Sequence, residues 1–309
     1  MSAMIRIEPV AGATARDFIT MTYPRFRELL TSDPSPDNSD SRVEAFGAYL
    51  GDRPAGLVLM RPERASKESE PEMRILSIMV QRAQRRQGIG HALMDRAQEA
   101  AGAAGLSCLV AYHSDRMRNP DVFEAFLAAH GWSAPKLVEF RLAGHADWTE
   151  RAWPSWAPML HRFARQGYAA TPWESLTDAD RERADSIVSD DWRFDYRRFE
   201  PHCDPRISIV LRRHGEIVGW VLGENHAEDG YYHYTNGYVA PELQRKGWLV
   251  AGVYDVCRFQ AEAYGPRSVA VYETYGENPG MIGIMQRRLK PFTIWTDSRF
   301  VGRRVLDGL

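Results

Sequence analysis

Apolar and polar positions along the chain fall into short periodic runs. Met4 to Val10 predicts a strand, and Arg16 to Leu30, with Phe18, Met21, Phe26, Leu29 and Leu30 apolar, predicts an amphipathic helix. Thr31 to Arg42, rich in Ser, Asp and Pro, reads as a loop. Next come a hairpin turning at Gly51-Asp52 (Glu44 to Leu50, Ala55 to Arg61) and a strand from Met73 to Val80. A glycine-containing turn opens a helix from Gly90 to Ala101. The strand Leu106 to Tyr112, a helix from Asp121 to His130 stopped by Gly131, and a closing strand from Lys136 to Leu142 follow. Trp153 to Gln166 predicts a connecting helix. From about Tyr168 the same order resumes, with a helix at Asp178 to Asp190, a hairpin at Ile207 to Leu222 and a strand at Tyr231 to Val239.

That resumption is a repeat. Val80 through Arg85-Arg86-Gln87-Gly88 reads onto Val239 through Gln244-Arg245-Lys246-Gly247, 159 residues later. The same offset carries Val110-Ala111 onto Val269-Ala270 and Asn119-Pro120 onto Asn278-Pro279. Upstream, Gly51 to Val58 resembles His214 to Val221 at an offset of 163, so the first copy has a longer connection, placed in the polar stretch Arg61 to Pro71. Two copies in 309 residues predict tandem domains, 1–150 and 168–309, joined by 151–167. A length of ~150 residues per domain gives the same count.

Composition narrows the class. Hydrophobic residues make up 44% and charged residues 26%, and the formal net charge of −2 supplies no basic field for nucleic acid. Cys108, Cys203 and Cys257 stand far apart, which excludes a disulfide framework or a cysteine zinc site and fits a reducing cytoplasm. No apolar run approaches the ~20 residues of a membrane span, and no signal-peptide stretch is evident. Glu200-Pro201-His202-Cys203-Asp204 has metal-ligand residue types without ligand spacing, so no metal is expected.

The chemistry signal lies in the turn after Val80. A strand followed by Arg85-Arg86-Gln87-Gly88-Ile89-Gly90 and an apolar-faced helix offers backbone N–H groups at a helix start, where an anion binds. Glycine permits close approach there, and Arg85 and Arg86 add charge for a diphosphate. Neither the Walker A sequence nor G-x-G-x-x-G is present.

Val80…Arg85-x-x-Gly88-x-Gly90 resembles the acyl-CoA pyrophosphate loop of the GNAT superfamily, written Q/R-x-x-G-x-G/A. Asn119-Pro120 through Phe123, Phe126 and Gly131-Trp132 is similar to that superfamily's later segment, and the doubling resembles tandem GNAT proteins of the mycothiol synthase type. The resemblance covers nearly all of residues 4–142 and most of 168–300. It implies an α/β (α+β) fold of two GNAT-like domains, each a twisted, mostly antiparallel mixed sheet flanked by helices. The sheet would splay beside the motif strand, with the pantetheine arm of acetyl-CoA or another acyl-CoA pairing to backbone near Ile78, Met79 and Val80. Arg85, Arg86, Gln87, Gly88, Ile89, Gly90 and Asn119 complete the implied donor site. In the second copy Gly237, Tyr238 and Val239 match the strand positions, but Leu249, after Trp248, replaces the last glycine. Weaker or absent CoA binding is therefore expected there.

The implied activity is direct transfer of an acyl group from CoA to the primary amine of a small metabolite. It needs a base for the amine, donors for the oxyanion and often an acid for the thiolate. The superfamily's usual acid, a tyrosine in the last helix, is replaced by Leu127. The candidates left are Glu72 and His113 in the first copy and His233 in the second, with Tyr272, Glu273 and Tyr275 expected to line its cleft. The acceptor pocket is expected to use the Thr31–Arg42 and Arg61–Pro71 loops and the interdomain surface. The Trp-rich segment (Trp148, Trp153, Trp156, Trp173) is expected to pack between the domains. Two other readings stay open: transfer from an aminoacyl-tRNA on a similar fold, and a CoA-binding sensor or scaffold without turnover.

Overall fold

The computed structural model describes residues 4–31, 43–64, 69–188 and 190–306. Most of the Thr31–Arg42 loop and the middle of the Arg61–Pro71 loop lie outside these residues. The strands are β1 (Ile5–Pro9), β2 (Glu44–Leu50), β3 (Arg53–Glu63), β4 (Glu72–Val80), β5 (Cys108–Ser114) and β6 (Lys136–His145), then β7 (Tyr168–Pro172), β8 (Ile209–Arg213), β9 (Glu216–His226), β10 (Tyr231–Val239), β11 (Val269–Tyr275) and β12 (Trp295–Val305). The helices are α1 (Ala15–Phe18), α2 (Arg27–Thr31), α3 (Ile89–Ala103), α4 (Pro120–Ala129), α5 (Trp148–Arg165), α6 (Asp178–Ile187), α7 (Trp248–Tyr264) and α8 (Pro279–Ile284).

Two compact units emerge. The first comprises Met1–Val138 with Arg299–Leu309, the second Glu139–Ser298. The expected boundaries are modified at the closing strands. Most of β6 closes the second unit by pairing antiparallel with β11, from Glu139↔Tyr275 to His145↔Val269. The last residues of β12 close the first unit against β5, from Arg299↔Ser114 to Val305↔Cys108.

In the first unit the sheet runs β1-β2-β3-β4-β5-β12, antiparallel except for β4 beside β5. Helix α3 buries Ile89, Leu93, Met94, Ala97, Ala100 and Ala101 against one face. This helical spacing gives a single apolar stripe. Gly56 on β3 permits the close contact, since a β-carbon there would come 3.0 Å from Leu93 Cδ1 and 3.1 Å from Ile89 Cγ2. The opposite face carries a second core around Phe18, Met21, Leu57, Leu59 and Leu76. The helix expected over Arg16 to Leu30 is broken: α1 and α2 are separated by short 3-10 turns, one of them starting at Pro24. Proline cannot donate the amide that a continuous helix needs there.

The second unit runs β6-β11-β10-β9-β8-β7 with α7 on one face and α6 on the other. The tryptophans expected between the domains instead pack within this unit. Trp148 and Trp156 are buried with Tyr254, Trp173 lies against Tyr196, and Trp153 is half exposed. The last helix is short, α8 giving way to a π-helical turn over Met285–Leu289 before Pro291.

Candidate acyl-donor site

In the first unit β4 and β5 pair over only three positions, Met73↔Leu109, Arg74↔Val110 and Ile75↔Ala111. The next residue, Leu76, is a bulge: Leu59 faces Ser77 and Met60 faces Ile75, leaving Leu76 unpaired. A bulge bends and twists its strand, so Ser77 to Val80 leave β5 and a fork opens. The second unit repeats the device. Tyr232, His233 and Tyr234 pair with Ala270, Val271 and Tyr272, and the bulge falls at Thr235. This register also corrects one sequence match. Ile75 faces Ala111 while its counterpart Tyr234 faces Tyr272, so β5 and β11 correspond two residues out of step with the Val110-Ala111/Val269-Ala270 alignment. A two-residue shift keeps each side chain on its own face, and burial rather than residue identity sets the register.

The turn after each fork has one backbone shape. Arg86 and Arg245 both take positive φ (66° and 60°), and Gly88 and Gly247 both cap their helices in the left-handed region (φ 83° and 89°). That conformation favours glycine at the cap. In α3 the first capping bond runs from Ala92 N–H to Gly88 O (3.0 Å), so the amides of Ile89, Gly90 and His91 belong to the helix's orphan first turn. A β-carbon at Gly88 would meet nothing closer than Ile5 Cδ1 at 3.9 Å, so the cradle is open. Arg85 differs from expectation: its Nε donates to Val80 O (3.1 Å), turning the side chain back onto the strand. Gln244 Nε2 makes the same bond to Val239 O (3.2 Å), so an uncharged residue performs this tether in the second copy. Gln87 bonds Gln84, and Arg86 is exposed. Asn119 precedes α4 with φ 62° and makes no cap bond, whereas Asn278 Oδ1 accepts from Met281 N–H (3.1 Å).

The second unit's cradle is crowded, since a β-carbon at Gly247 would come 3.1 Å from Phe163 Cζ. A β-carbon at Gly237 would come 3.1 Å from Leu249 Cδ1, so Leu249 lies on the strand position that corresponds to Ile78. Beside the first cradle, His91 Nδ1 and His130 Nε2 stand 3.0 Å apart, while their counterparts Val250 and Leu289 are buried apolar side chains.

The catalytic candidates separate. Glu72 starts β4 below the fork and is ion-paired to Arg303, so it is not positioned as a free base. His113 lies just past the fork on β5, its side chain 1% exposed. Its Nε2 is 2.7 Å from Glu124 Oε1, the ring stacks on Phe300 and meets Phe123 edge-on, and the buried Nδ1 has no partner. Leu127 is core. Glu124 carries little signal in the sequence beyond being an acidic residue inside the otherwise apolar run Phe123 to Ala129. Ser77 Oγ is also buried without a partner, whereas its counterpart Asn236 accepts from Trp220 Nε1 (2.7 Å) and donates to Arg193 O (2.7 Å).

In the second unit His233 Nε2 lies 3.0 Å from Glu273 Oε2, an ion-pair distance without hydrogen-bond alignment. The matching position in the first unit is Arg74, which grips Glu63 (3.0 and 2.8 Å) and stacks over Tyr112. Tyr272 does not join His233. It faces α7, where its OH is 2.5 Å from Cys257 Sγ and its ring stacks on Tyr234. Burial pushes the Cys257 thiol up to about 12, so it is not a nucleophile. In the segment with metal-ligand residue types, Glu200 accepts from Trp173 Nε1 (3.0 Å) and Asp204 binds Tyr264, Arg206 and Asn225.

Residues 14–126 match the Acetyltransferase (GNAT) family model, and with the fork and loop in place that match decides the assignment. The first unit contains a GNAT acetyltransferase domain. The whole chain is similar in fold to a tandem GNAT protein from the clavulanic acid biosynthesis pathway, determined without AcCoA (14% identity, 98% of each chain, TM-score 0.52). It is also similar to a GCN5-related N-acetyltransferase from Sphaerobacter thermophilus (14% identity, 99% of this chain and 97% of the other, TM-score 0.56). No curated protein matches the sequence. Among the described residues no helix is long and apolar enough to cross a membrane.

Proposed function

We propose that the GNAT domain of the first unit is an acyl-CoA-dependent N-acyltransferase, moving an acetyl group from acetyl-CoA to the primary amine of a small metabolite in a ternary complex. The observation that carries this reading is the contrast at the two loops: with the same backbone turn, Gly88 is open, whereas its counterpart Gly247 lies against Phe163 and Leu249 lies on the strand at Gly237. The amides of Ile89, Gly90 and His91 would hold the diphosphate with the charge of Arg86. Ile78, Met79 and Val80, free of β5 beyond the fork, would hold the pantetheine arm, with the Val80 carbonyl already engaged by Arg85. Asn119 would meet the donor from α4. We place the enzyme in a reducing cytoplasmic setting, consistent with three free cysteines.

The test is calorimetric titration with acetyl-CoA followed by thiol release across an amine panel. One tight site per chain, lost in a folded Gly88→Glu variant, supports the reading. Unchanged affinity in that variant rejects the loop assignment. Tight binding with no thiol release for any amine would favour the sensor reading.

A second reading places the chemistry in the second unit, because the fork position held by Arg74 in the first is there the titratable His233, beside Glu273.

A further inference from the structure

The resemblance implies a tyrosine on α4 as the acid for the departing thiolate, and Leu127, which stands at that place, is packed in the core. The fork nevertheless carries a buried polar atom with no use in the fold. His113 is the second residue of β5 past the last β4–β5 pair, Ile75↔Ala111, and its ring reaches α4, the helix from which the tyrosine would come. The ring's neighbours are Phe123 and Glu124 from α4 and Phe300 from β12. Of these only Glu124 carries charge. A carboxylate can only accept, so Nε2 of His113 is the protonated nitrogen that donates to Glu124 Oε1 at 2.7 Å. Nδ1 remains, buried and without a partner. Leaving a buried polar atom unpaired costs about 1–3 kcal/mol, and such an atom calls for an explanation.

We propose that His113 Nδ1 is the proton donor to the CoA sulfur, with Glu124 as the residue that positions the ring and stabilises its imidazolium form. The proposal rests on the reading that CoA binds in the first unit. The amine nitrogen attacks the thioester carbonyl carbon, forming the C–N bond as the carbonyl electron pair moves to oxygen. When the carbonyl re-forms, the C–S bond breaks and its electron pair goes to sulfur. Sulfur takes the proton from His113 Nδ1. The neutral imidazole then recovers, through solvent, the proton shed by the new amide nitrogen. The sum is acyl-CoA plus amine giving amide plus CoA thiol, with no other reactant. The second unit has no such pair: Thr274, the register counterpart of His113, is a threonine.

Because the acceptor is unidentified, the test uses CoA alone. The ultraviolet thiolate absorbance of bound CoA is titrated against pH, with S-methyl-CoA as the blank, and binding is measured separately by calorimetry. An imidazolium beside the sulfur favours the thiolate, so the bound thiol should titrate at least one pH unit below free CoA. His113→Gln should abolish that shift while CoA affinity stays within about three-fold. Glu124→Gln, a change at a partly exposed helix position, should reduce the shift by destabilising the imidazolium, and it serves if the buried histidine variant does not fold. Tight CoA binding with an unshifted thiol in the unaltered protein overturns the proposal and leaves the donor-site reading standing. A shift that survives both substitutions overturns it as well. Failure to bind CoA at all removes the donor-site reading and this proposal together.

Discussion

Leu249 rests on Gly237, close enough that a β-carbon on that glycine would come within 3.1 Å of Leu249 Cδ1. With Phe163 against Gly247, the pair distinguishes two loops whose turns otherwise share φ values at the arginine and the glycine. It turns a question of homology into one of space: the second cradle has the backbone for an anion but not the room along its strand.

Removing the obstruction should create a site. Titration of Leu249→Gly with acetyl-CoA is expected to show a second, weaker binding event beside the first. Conversely, Gly90→Leu should weaken the first site by ten-fold or more, since each lost hydrogen bond to a charged group is worth about 1.5–3 kcal/mol. A single unchanged site in both variants would show that side-chain bulk at this position does not control donor binding.

His233 separates the two placements of the chemistry. With turnover in the first unit, His233→Gln should leave thiol release within about two-fold. A fall of a hundred-fold, in the range expected for loss of a general base, would move the reaction to the His233–Glu273 pair.

Acid should release one particular contact. Asp180 shares hydrogen bonds with Arg212 (2.7 and 2.9 Å), which hold its carboxyl well below the usual range, and it closes a capping box with Thr177 at the start of α6. A carboxyl depressed in the folded state adds stability above its unfolded value of about 3.9, and that stability disappears as pH falls through the folded value. Arg212→Met should therefore cost about 1–3 kcal/mol at pH 7. The gap from the unaltered protein should narrow as the pH drops below about 4, as read by urea unfolding at several pH values. A constant gap would mean that Arg212 contributes by packing alone.

The cysteines should be slow to react. Burial raises all three thiols, Cys257 most, where Tyr272 and Trp148 also touch the sulfur. At pH 8 iodoacetamide should label Cys257 only after denaturation. Prompt labelling of that residue in the native protein, seen by peptide mass, would contradict the burial of α7 against β11.

The strands, both glycine turns and the doubling were legible because each has a local signature: a period of two, a Gly at a helix start, and a Gln/Arg-x-x-Gly run repeated five residues after a valine. The fork was legible only through resemblance, since a bulge at Leu76 or Thr235 leaves no mark in an apolar or mixed run. Arg85 reads as a phosphate ligand from charge alone, yet it is bonded to its own strand, a contact that Gln244 reproduces without charge. Glu72 looks like a free strand-end carboxylate because Arg303, its partner, lies more than two hundred residues away in sequence. His113 and Glu124 are eleven apart, on a strand and a helix, and no periodicity links them. Contacts of that kind are set by packing, which the linear pattern does not encode.

The closing strands carry a further meaning for how the protein is made. A ribosome that has just released Val138 has delivered most of the first unit's chain, yet Arg299 to Val305, which must pair with β5, have not been synthesised. The strand edge from Cys108 to Ser114 therefore waits, unpaired on that side, while the entire second unit emerges. During this interval an exposed apolar edge is vulnerable to mispairing with other chains. His113 is on that edge, and Phe300, which covers its ring, is among the late arrivals, so the environment of the proposed proton donor is completed only after the second unit has been made.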